Sequence, residues 1–267
     1  MSAEKPAFAD SDEILSNQAD ADMREQTFSQ QRKRILDLNN DAARWFQSQL
    51  FDISGGKTFA FLTERNIGRE TAESFCLGYA PEGGIHLVNT MRELGYSDEE
   101  IIRAGLAVRG DNADVIYDRF RDRLIFPIQD SQGEVLGFSG RSLANGKEPI
   151  YLNSPDTIVF SKQSALYGIY QAKDSKRGFL LLVEGVIDVV TLNALGIDNA
   201  VTCVGASLTS EHAKLISRYT RQVILFYDND SAGRKAAKRA IEILKGNGLS
   251  VFVLDMHDGT ILTHNRG

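Results

Sequence analysis

The chain has 267 residues, of which 42% are hydrophobic and 25% charged, and it contains only 5 prolines. This composition is typical of a globular protein and excludes a collagen-like or disordered chain. Its 2 cysteines cannot build a disulfide framework or a zinc ribbon, which needs about four paired Cys or His ligands, and they indicate a reducing compartment. No apolar run approaches the roughly 18 residues of a membrane span, so we expect no membrane contact and a cytoplasmic protein.

The formal net charge of −6 argues against nucleic acid as a partner, but the charge is unevenly distributed along the chain. Residues 1–30 contain seven acidic and two basic side chains, a net charge of −5. Residues 119–177 contain nine basic and six acidic side chains, a net charge of +3. We interpret residues 1–30 as a flexible acidic tail or linker that conceals a basic middle region.

The first predicted element is an amphipathic helix over residues 30–50, which Gly55 and Gly56 end. Short helical segments punctuated by glycines follow, over residues 58–64, 69–75, 87–94 and 98–104. Strand-like segments at 123–128 and 135–139, joined by a turn at 130–133, then predict a β-hairpin. These elements indicate a mixed α+β N-terminal basic subdomain over residues 31–177.

Four apolar strands follow from residue 178, at 179–183, 200–204, 223–227 and 251–254. Predicted helices at 186–195, 210–217 and 232–244 alternate with them. Strands that are apolar throughout and separated by single helices predict a Rossmann-like parallel sheet covered on both faces, so the fold class is α/β. In such sheets the functional crevice lies beyond the carboxyl ends of the strands.

Three carboxylates lie where two of these strands end. Glu184 follows the first strand directly, and Asp228 and Asp230 follow the third. Gly185 and Gly233 allow close backbone approach where each strand gives way to a helix. Because clustered carboxylates repel one another, a hard divalent cation such as Mg²⁺ or Mn²⁺ is the partner they favour.

The residue pattern alone leaves plainer interpretations open. An Asp at the start of a helix often serves only as an N-cap, and Asp188, inside its helix, is compatible with packing or capping. The basic residues before and in the hairpin, Arg119, Arg121 and Arg123, are compatible with a solvated strand face. The four histidines have no partner spacing for a metal site or a catalytic triad, so we interpret them as structural or surface residues.

The run Glu184-Gly-x-x-Asp188, followed by Asp228-x-Asp230-x-Ala-Gly233, resembles the Toprim signature. Primases, type IA and II topoisomerases, recombination-mediator proteins and certain nucleases share that signature. Further segments resemble the catalytic core of DnaG-type bacterial primases, in the family's order: residues 75–81, 117–128, 137–141, 151–156, 160–162 and 166–168. The resemblance covers residues 31–260.

The resemblance implies synthesis of a short RNA primer from ribonucleoside triphosphates on a single-stranded DNA template, by metal-assisted in-line nucleotidyl transfer. It assigns Glu184, Asp228 and Asp230 as ligands of the divalent ions, with Asp188 in support. It also implies a basic face for template or nucleotide phosphates. The residues of that face and its border are Arg119, Arg121, Arg123, Arg141, Lys162, Tyr151 and Asn153, with Ser154 beside them.

The chain departs from the family pattern at three places. Ile150 stands where the family has Lys, with Lys147 as a partial substitute, and Ala206 stands where Thr is common. The family continues Asp-Gly-x-Asp-Pro-Asp after the last strand, whereas this chain reads Asp258-Gly-Thr-Ile261. One codon choice for Ile-Leu-Thr-His, read one base earlier behind a G, encodes Asp-Pro-Asp-Thr. We therefore hypothesise a frameshift after Thr260 that truncates the Toprim subdomain of residues 178–267, which the genomic DNA sequence would test.

The family's zinc-binding domain, helical subdomain and helicase-binding domain have no counterpart in the sequence, so the chain resembles a core fragment without a zinc site. A replicative helicase is a partner of the full-length family. Two other functions remain open: a different Toprim enzyme, either a nuclease or a topoisomerase-like module, or a catalytically impaired nucleic-acid-binding fragment. The motifs over residues 115–170 have no explanation in the nuclease alternative, and the topoisomerase alternative lacks its tyrosine-bearing domain.

Overall fold

A computed structural model of the chain describes residues 11–52, 55–110, 115–144, 148–205, 207–254 and 261–263. Side chains are described for all of these residues except 11–22 and 261–263. The predicted frameshift point after Thr260, and the residues Lys147 and Ala206, lie at or within the ranges that are not described.

The helices are α1 (Ser11–Phe51), α2 (Gly56–Thr63), α3 (Arg69–Ser74), α4 (His86–Glu93), α5 (Asp98–Arg103), α6 (Ile169–Ala172), α7 (Val186–Ala194), α8 (Ser210–Ile216) and α9 (Ser231–Gly246). The strands are β1 (Gly78–Ala80), β2 (Ala107–Arg109), β3 (Ile116–Asp118), β4 (Arg123–Gln129), β5 (Val135–Ser142), β6 (Tyr151–Asn153), β7 (Leu166–Tyr167), β8 (Leu180–Val183), β9 (Ala200–Cys203), β10 (Gln222–Phe226), β11 (Ser250–Leu254) and β12 (Ile261–Thr263). Among the helices of the described residues, none combines the length and the apolar character that crossing a membrane requires.

Helix α1 contains the predicted helix over residues 30–50, but it begins at Ser11, inside the segment expected to be a flexible tail. The side chains from Met23 to Lys33 are exposed, and the buried face begins at Ile35. The upstream half of α1 has no apolar period, because such a period marks a buried helix face and these side chains are exposed. Ala, Glu, Gln and Arg favour a helix without a core to pack on, so a helix nucleated downstream extends through them.

The N-terminal half is organised around an antiparallel sheet in the order β1-β4-β5-β6. The predicted hairpin is confirmed as β4 and β5, in which Pro127 pairs with Phe138. Its turn is closed by Asp130, whose Oδ1 accepts hydrogen bonds from the amides of Gln132 and Glu134 at 2.8 and 3.1 Å. Such Asx turns are why Asp is common at these positions.

The second half contains the predicted parallel sheet, which confirms the α/β fold class. The strand order is β12-β11-β10-β8-β9-β7, with β8 to β11 mutually parallel and the two edge strands antiparallel. Leu181 and Val183 pack into a core shared with Phe126 of the N-terminal sheet, whereas Leu180 and Leu182 pack on the opposite face. Both faces of β8 are therefore buried, as an uninterrupted apolar strand requires.

Strand pairing and a buried histidine also join the N-terminal half to the second half. Strand β7, which precedes the predicted boundary at residue 178, pairs with β9 and forms an edge of the second sheet. His212 of α8 is fully buried, with Nε2 3.1 Å from the carbonyl of Ala165 beside that strand. Burial lowers the pKa of His212, which favours the neutral ring. This histidine is structural, in agreement with the sequence interpretation.

Asp118 in β3 fixes the start of α4. Asp118 is 4% exposed, and its carboxylate accepts hydrogen bonds from the amides of Leu87 and Val88 at 3.0 and 2.9 Å. Ile85, at the N-cap position of α4, supplies no side-chain hydrogen bond. The Asp118 carboxylate of β3 therefore accepts hydrogen bonds from α4 amides that have no partner within the helix.

We expect Asp118→Ala to lower the free energy of unfolding by about 1–3 kcal/mol, because two buried amides lose their acceptor. Urea unfolding followed by circular dichroism measures this change. Asp174→Ala, at an exposed carboxylate, is the matched control and should change stability by less than about 0.5 kcal/mol. Equal midpoints for Asp118→Ala and the unaltered chain would contradict the capping role.

Candidate active site

The carboxylates predicted to meet at one edge of the sheet do so. Strands β8 and β10 are hydrogen-bonded neighbours with Val183 opposite Phe226, so Glu184 and Asp228 emerge side by side. The Oε1 atom of Glu184 accepts a hydrogen bond from the backbone amide of Asp228 at 2.9 Å. We call Glu184, Asp188, Asp228 and Asp230 the carboxylate edge.

Asp230 and Asp188 also act as the caps that the plainer interpretation proposed. Asp230 is the N-cap of α9, and its Oδ1 accepts hydrogen bonds from Ala232 and Gly233 at 2.8 and 2.7 Å. Asp188 accepts a hydrogen bond from the amide of Gly185 at 2.9 Å through Oδ2. In each case these bonds use one of two oxygens, and an ionised carboxylate offers about four acceptor sites. Capping therefore leaves room for a further ligand.

Burial, together with the charges of neighbouring carboxylates, raises the pKa values of Glu184 and Asp188. Desolvation raises the pKa of Glu184 above its ordinary value, and the charges of Asp228, Asp230 and Asp188 raise it further. The hydrogen bond from the Asp228 amide opposes this shift. Desolvation, followed by the charge of Asp228, likewise raises the pKa of Asp188. A cation bound at this edge would relieve the repulsion between the ionised groups.

The carboxylate edge offers only carboxylate oxygens as side-chain ligands. Hard divalent cations prefer oxygen ligands of this kind. These carboxylates lie farther apart than the ligands of a bound metal ion. Within the described ranges, no three His, Cys, Asp or Glu side chains are grouped closely enough to hold a metal ion. Asp255 and Asp258 lie in the part of the chain that is not described. The carboxylate edge therefore supplies suitable metal ligands, but in this structure they do not yet surround a single metal position.

Gly233 makes the close approach at this edge possible. A Cβ atom on Gly233 would lie 2.1 Å from the carbonyl oxygen of Asp228 and 2.8 Å from Oε1 of Glu184. Any larger residue would therefore push α9 away from the end of β8. Gly185 is less tightly enclosed, since its added Cβ would lie 3.0 Å from the Asp188 carboxylate.

Strand β6 of the N-terminal half faces the carboxylate edge across a cleft of about 180 Å³, which we call the β6 cleft. Tyr151 and Asn153 line it on one side, and Glu184 and Gly185 on the other. Gly205 has φ of +65°, and a Cβ there would lie 2.2 Å from the amide nitrogen of Asn153. The two halves of the chain thus meet at the predicted site residues.

Arg141 lies beside the β6 cleft, with its guanidinium 5.8 Å from the Tyr151 ring centroid and 4.8 Å from that of Phe61. Arg65, which the sequence analysis did not single out, lies 3.6 Å from the same Phe61 ring. Desolvation raises the pKa of Tyr151, while the charges of Arg141 and Arg65 lower it. No local motif marks Arg65, because its position depends on how α2 packs near β5 and β6.

The remaining predicted basic residues have different environments. Arg123 is only 4% exposed and donates to the carbonyls of Gly140 and Ile150 at 3.1 and 3.0 Å, so it helps to hold the sheet together. It also lines a cavity of about 410 Å³ together with Arg119 and Arg121. Half-buried Arg119 donates to the Asn153 carbonyl at 3.0 Å. Arg121 is exposed, and Lys162 is half-buried in the loop before β7. Three members of the predicted basic face thus line one cavity, and the hydrogen bonds of Arg123 give it a structural role as well.

Comparisons with known proteins agree with this geometry. A family model described as Toprim-like matches residues 181–260, the part that contains the carboxylate edge. A second model, the DNA primase catalytic core N-terminal domain, matches residues 45–173. The chain belongs to the DnaG family of DNA primases, within its catalytic core.

Individual relatives support the same assignment. The DNA primase of Clostridium acetobutylicum is 39% identical over 227 residues, which cover 85% of this chain and 37% of that protein. A structure of the DnaG primase catalytic domain bound to ssDNA superposes with a TM-score of 0.77 at 37% identity, covering 87% of this chain and 74% of that one. The E. coli primase catalytic core gives a TM-score of 0.76 at 37% identity, with 84% and 73% covered. The chain thus spans under half the length of the curated relative.

We expect Gly233→Ala to lower the free energy of unfolding by about 1–3 kcal/mol, because the added methyl group overlaps backbone that cannot move freely. Thermal and urea unfolding measure this. Gly246→Ala, in the same helix, has no atom within 4 Å of the added Cβ and serves as the control. It should be neutral or slightly stabilising, since Ala favours a helix more than Gly. Equal stability of the two variants would show that α9 does not pack against β8 as described.

Proposed function

We propose that the chain is the catalytic core of a DNA primase, which joins ribonucleotides on a single-stranded DNA template. The observation that supports this most is the position of Glu184 opposite Tyr151 and Asn153 across the β6 cleft, with Arg141 beside the Tyr151 ring. Carboxylates suit divalent ions, and the opposing amide and guanidinium groups suit a sugar and phosphates. The solved DnaG domain bound to ssDNA, which covers most of this chain, supports the template assignment.

Glu184, Asp228 and Asp230 would hold Mg²⁺ or Mn²⁺. When bound, such ions would stabilise the charge that develops on the transferring phosphoryl group. The chain itself positions the carboxylates: Glu184 is oriented by the Asp228 amide, and Asp230 by two amides of α9. These bonds hold one oxygen of each side chain in place before any ligand arrives.

The N-terminal half would bind the substrates. Arg141 and Arg65 lie next to the β6 cleft and would contact nucleotide or template phosphates. Arg119 fixes Asn153 through the strand carbonyl, so we assign it a positioning role. Arg121 and Lys162, which are nearer the surface, would contribute to phosphate binding at longer range.

Two alternatives remain testable. A different Toprim enzyme would cleave or pass DNA, but it would not need an N-terminal half of this family, which matches residues 45–173. An impaired primase fragment that only binds nucleic acid is favoured by Ile150, which is 50% exposed at the position where the family pattern has Lys.

We expect the purified chain, incubated with single-stranded DNA, labelled ribonucleotides and Mg²⁺ or Mn²⁺, to produce short oligoribonucleotides. Glu184→Gln should reduce the rate by about a hundredfold or more, because it removes a charge that the transition-state ions require. Glu25→Gln is the control, since Glu25 is an exposed carboxylate on α1 distant in sequence from the site. Gel electrophoresis of the labelled products measures both rates.

The products separate the alternatives. Cleavage of the DNA without ribonucleotide incorporation would favour another Toprim enzyme. Salt-sensitive DNA binding without any product would favour the impaired fragment. Undiminished synthesis by Glu184→Gln would contradict the role given to the carboxylate edge.

A further inference from the structure

A second cleft borders the carboxylate edge at Glu184, and none of the β6 residues lines it. Its volume is about 600 Å³, and it lies between α9 and the loop that joins β9 to α8. We call it the α9 cleft. Glu184, Cys203 and Gly205 line both the α9 cleft and the β6 cleft, so the two cavities share a wall at the proposed reaction centre.

The mouth of the α9 cleft is positively charged. Helix α9 contains five basic residues and one acidic residue. Two of the basic residues, Lys235 and Arg239, lie four positions apart on the face that lines the cleft, and both are exposed. Neither forms an ion pair with a carboxylate among the residues that the structure describes. Two uncompensated charges on one helix face are suited to the phosphates of a ligand.

The interior of the α9 cleft is largely apolar. Leu208, Tyr227 and Ile243 line it, together with Cys203. Burial raises the pKa of Cys203 to about 12, so its thiol is neutral and adds no negative charge. An apolar pocket of a few hundred cubic ångströms with few charged groups is the usual form of a small-molecule site. Its volume, its apolar interior and the two basic residues that line it suit a nucleotide, with the base inside and the phosphates at Lys235 and Arg239.

We propose that the α9 cleft binds the initiating nucleotide of primer synthesis, with its base against the apolar wall and its 5′ phosphates at Lys235 and Arg239. This inference rests on the proposed function, because making the first dinucleotide needs two nucleotides on either side of one set of metal ligands. The β6 cleft would hold the incoming triphosphate, and the α9 cleft would hold the nucleotide that supplies the 3′ hydroxyl.

The chemistry of this step balances without a further reactant. The 3′ oxygen of the initiating nucleotide forms a bond to the α-phosphorus of the incoming triphosphate. The bond from that phosphorus to the bridging oxygen breaks, and pyrophosphate leaves with the electron pair. The proton of the hydroxyl passes to solvent. Lys235 and Arg239 touch only the phosphates that do not react, so they determine binding of the initiating nucleotide rather than the transfer itself.

Ligand binding tests the site without relying on activity. The probe is a guanosine triphosphate analogue with a methylene group between the α- and β-phosphates, which cannot be transferred, measured by equilibrium dialysis with Mg²⁺ and the full chain. We expect two molecules per chain, and for Lys235→Ala/Arg239→Ala we expect one site weakened about tenfold or more. Lys238→Ala/Lys245→Ala changes the charge of α9 equally outside the cleft and should retain both sites.

A single bound molecule in the unaltered chain, or two unweakened sites in Lys235→Ala/Arg239→Ala, would overturn the proposal. Circular dichroism of each variant verifies that it is folded. Binding in the β6 cleft, which the substitutions do not touch, serves as an internal reference.

Initiation assays test the role of the site. Dinucleotide synthesis is compared when the initiator is guanosine triphosphate and when it is guanosine, which lacks phosphates. With guanosine triphosphate as the initiator, we expect the Lys235→Ala/Arg239→Ala variant to make the dinucleotide about tenfold more slowly than the unaltered chain. With guanosine as the initiator, we expect the two rates to be equal. Equal losses with both initiators would overturn the assignment. Two binding sites without any dinucleotide synthesis by the unaltered chain would instead count against the proposed function and leave the second nucleotide site supported.

Discussion

The close packing of the β10–α9 turn against the end of β8 is the constraint on which the candidate active site depends. Gly233 leaves no room for a side chain between the Asp228 carbonyl and Glu184. The same turn presents the Asp228 amide to Glu184 and the α9 amides to Asp230. A single small residue therefore sets the separation of the carboxylates, because a side chain at this position would overlap the Asp228 backbone.

The second half of the site depends on how the two sheets meet. Arg119 donates to the carbonyl of Asn153, and Gly205 allows the Asn153 side chain to lie against the β9–α8 loop. The core formed by Phe126, Leu181 and Val183 extends across both halves. Because this core is continuous, Tyr151 and Asn153 are held opposite Glu184 by packing as well as by local hydrogen bonds.

The sequence predicted the carboxylate edge well, because carboxyl ends of parallel strands meet at one edge whatever the strand order. It could not decide between capping and metal binding at Asp230, since the same carboxylate can serve both purposes. The strand pattern could not predict that Arg123 donates hydrogen bonds to the carbonyls of Gly140 and Ile150. A polar residue in a strand can interact with solvent or with a buried carbonyl, and the pattern is the same in both cases. Arg65 was missed for a related reason: only tertiary packing brings α2 to β6.

We propose that Glu184, Asp228 and Asp230 together hold the divalent ions of a nucleotidyl-transfer site. Crystals of the chain soaked with Mn²⁺ and a non-transferable ribonucleoside triphosphate would test it through anomalous scattering at the manganese edge. We expect manganese peaks about 2.1 Å from the oxygens of these carboxylates, the usual distance for a small divalent cation. Ordered carboxylates with no manganese peak between them and the triphosphate would contradict it.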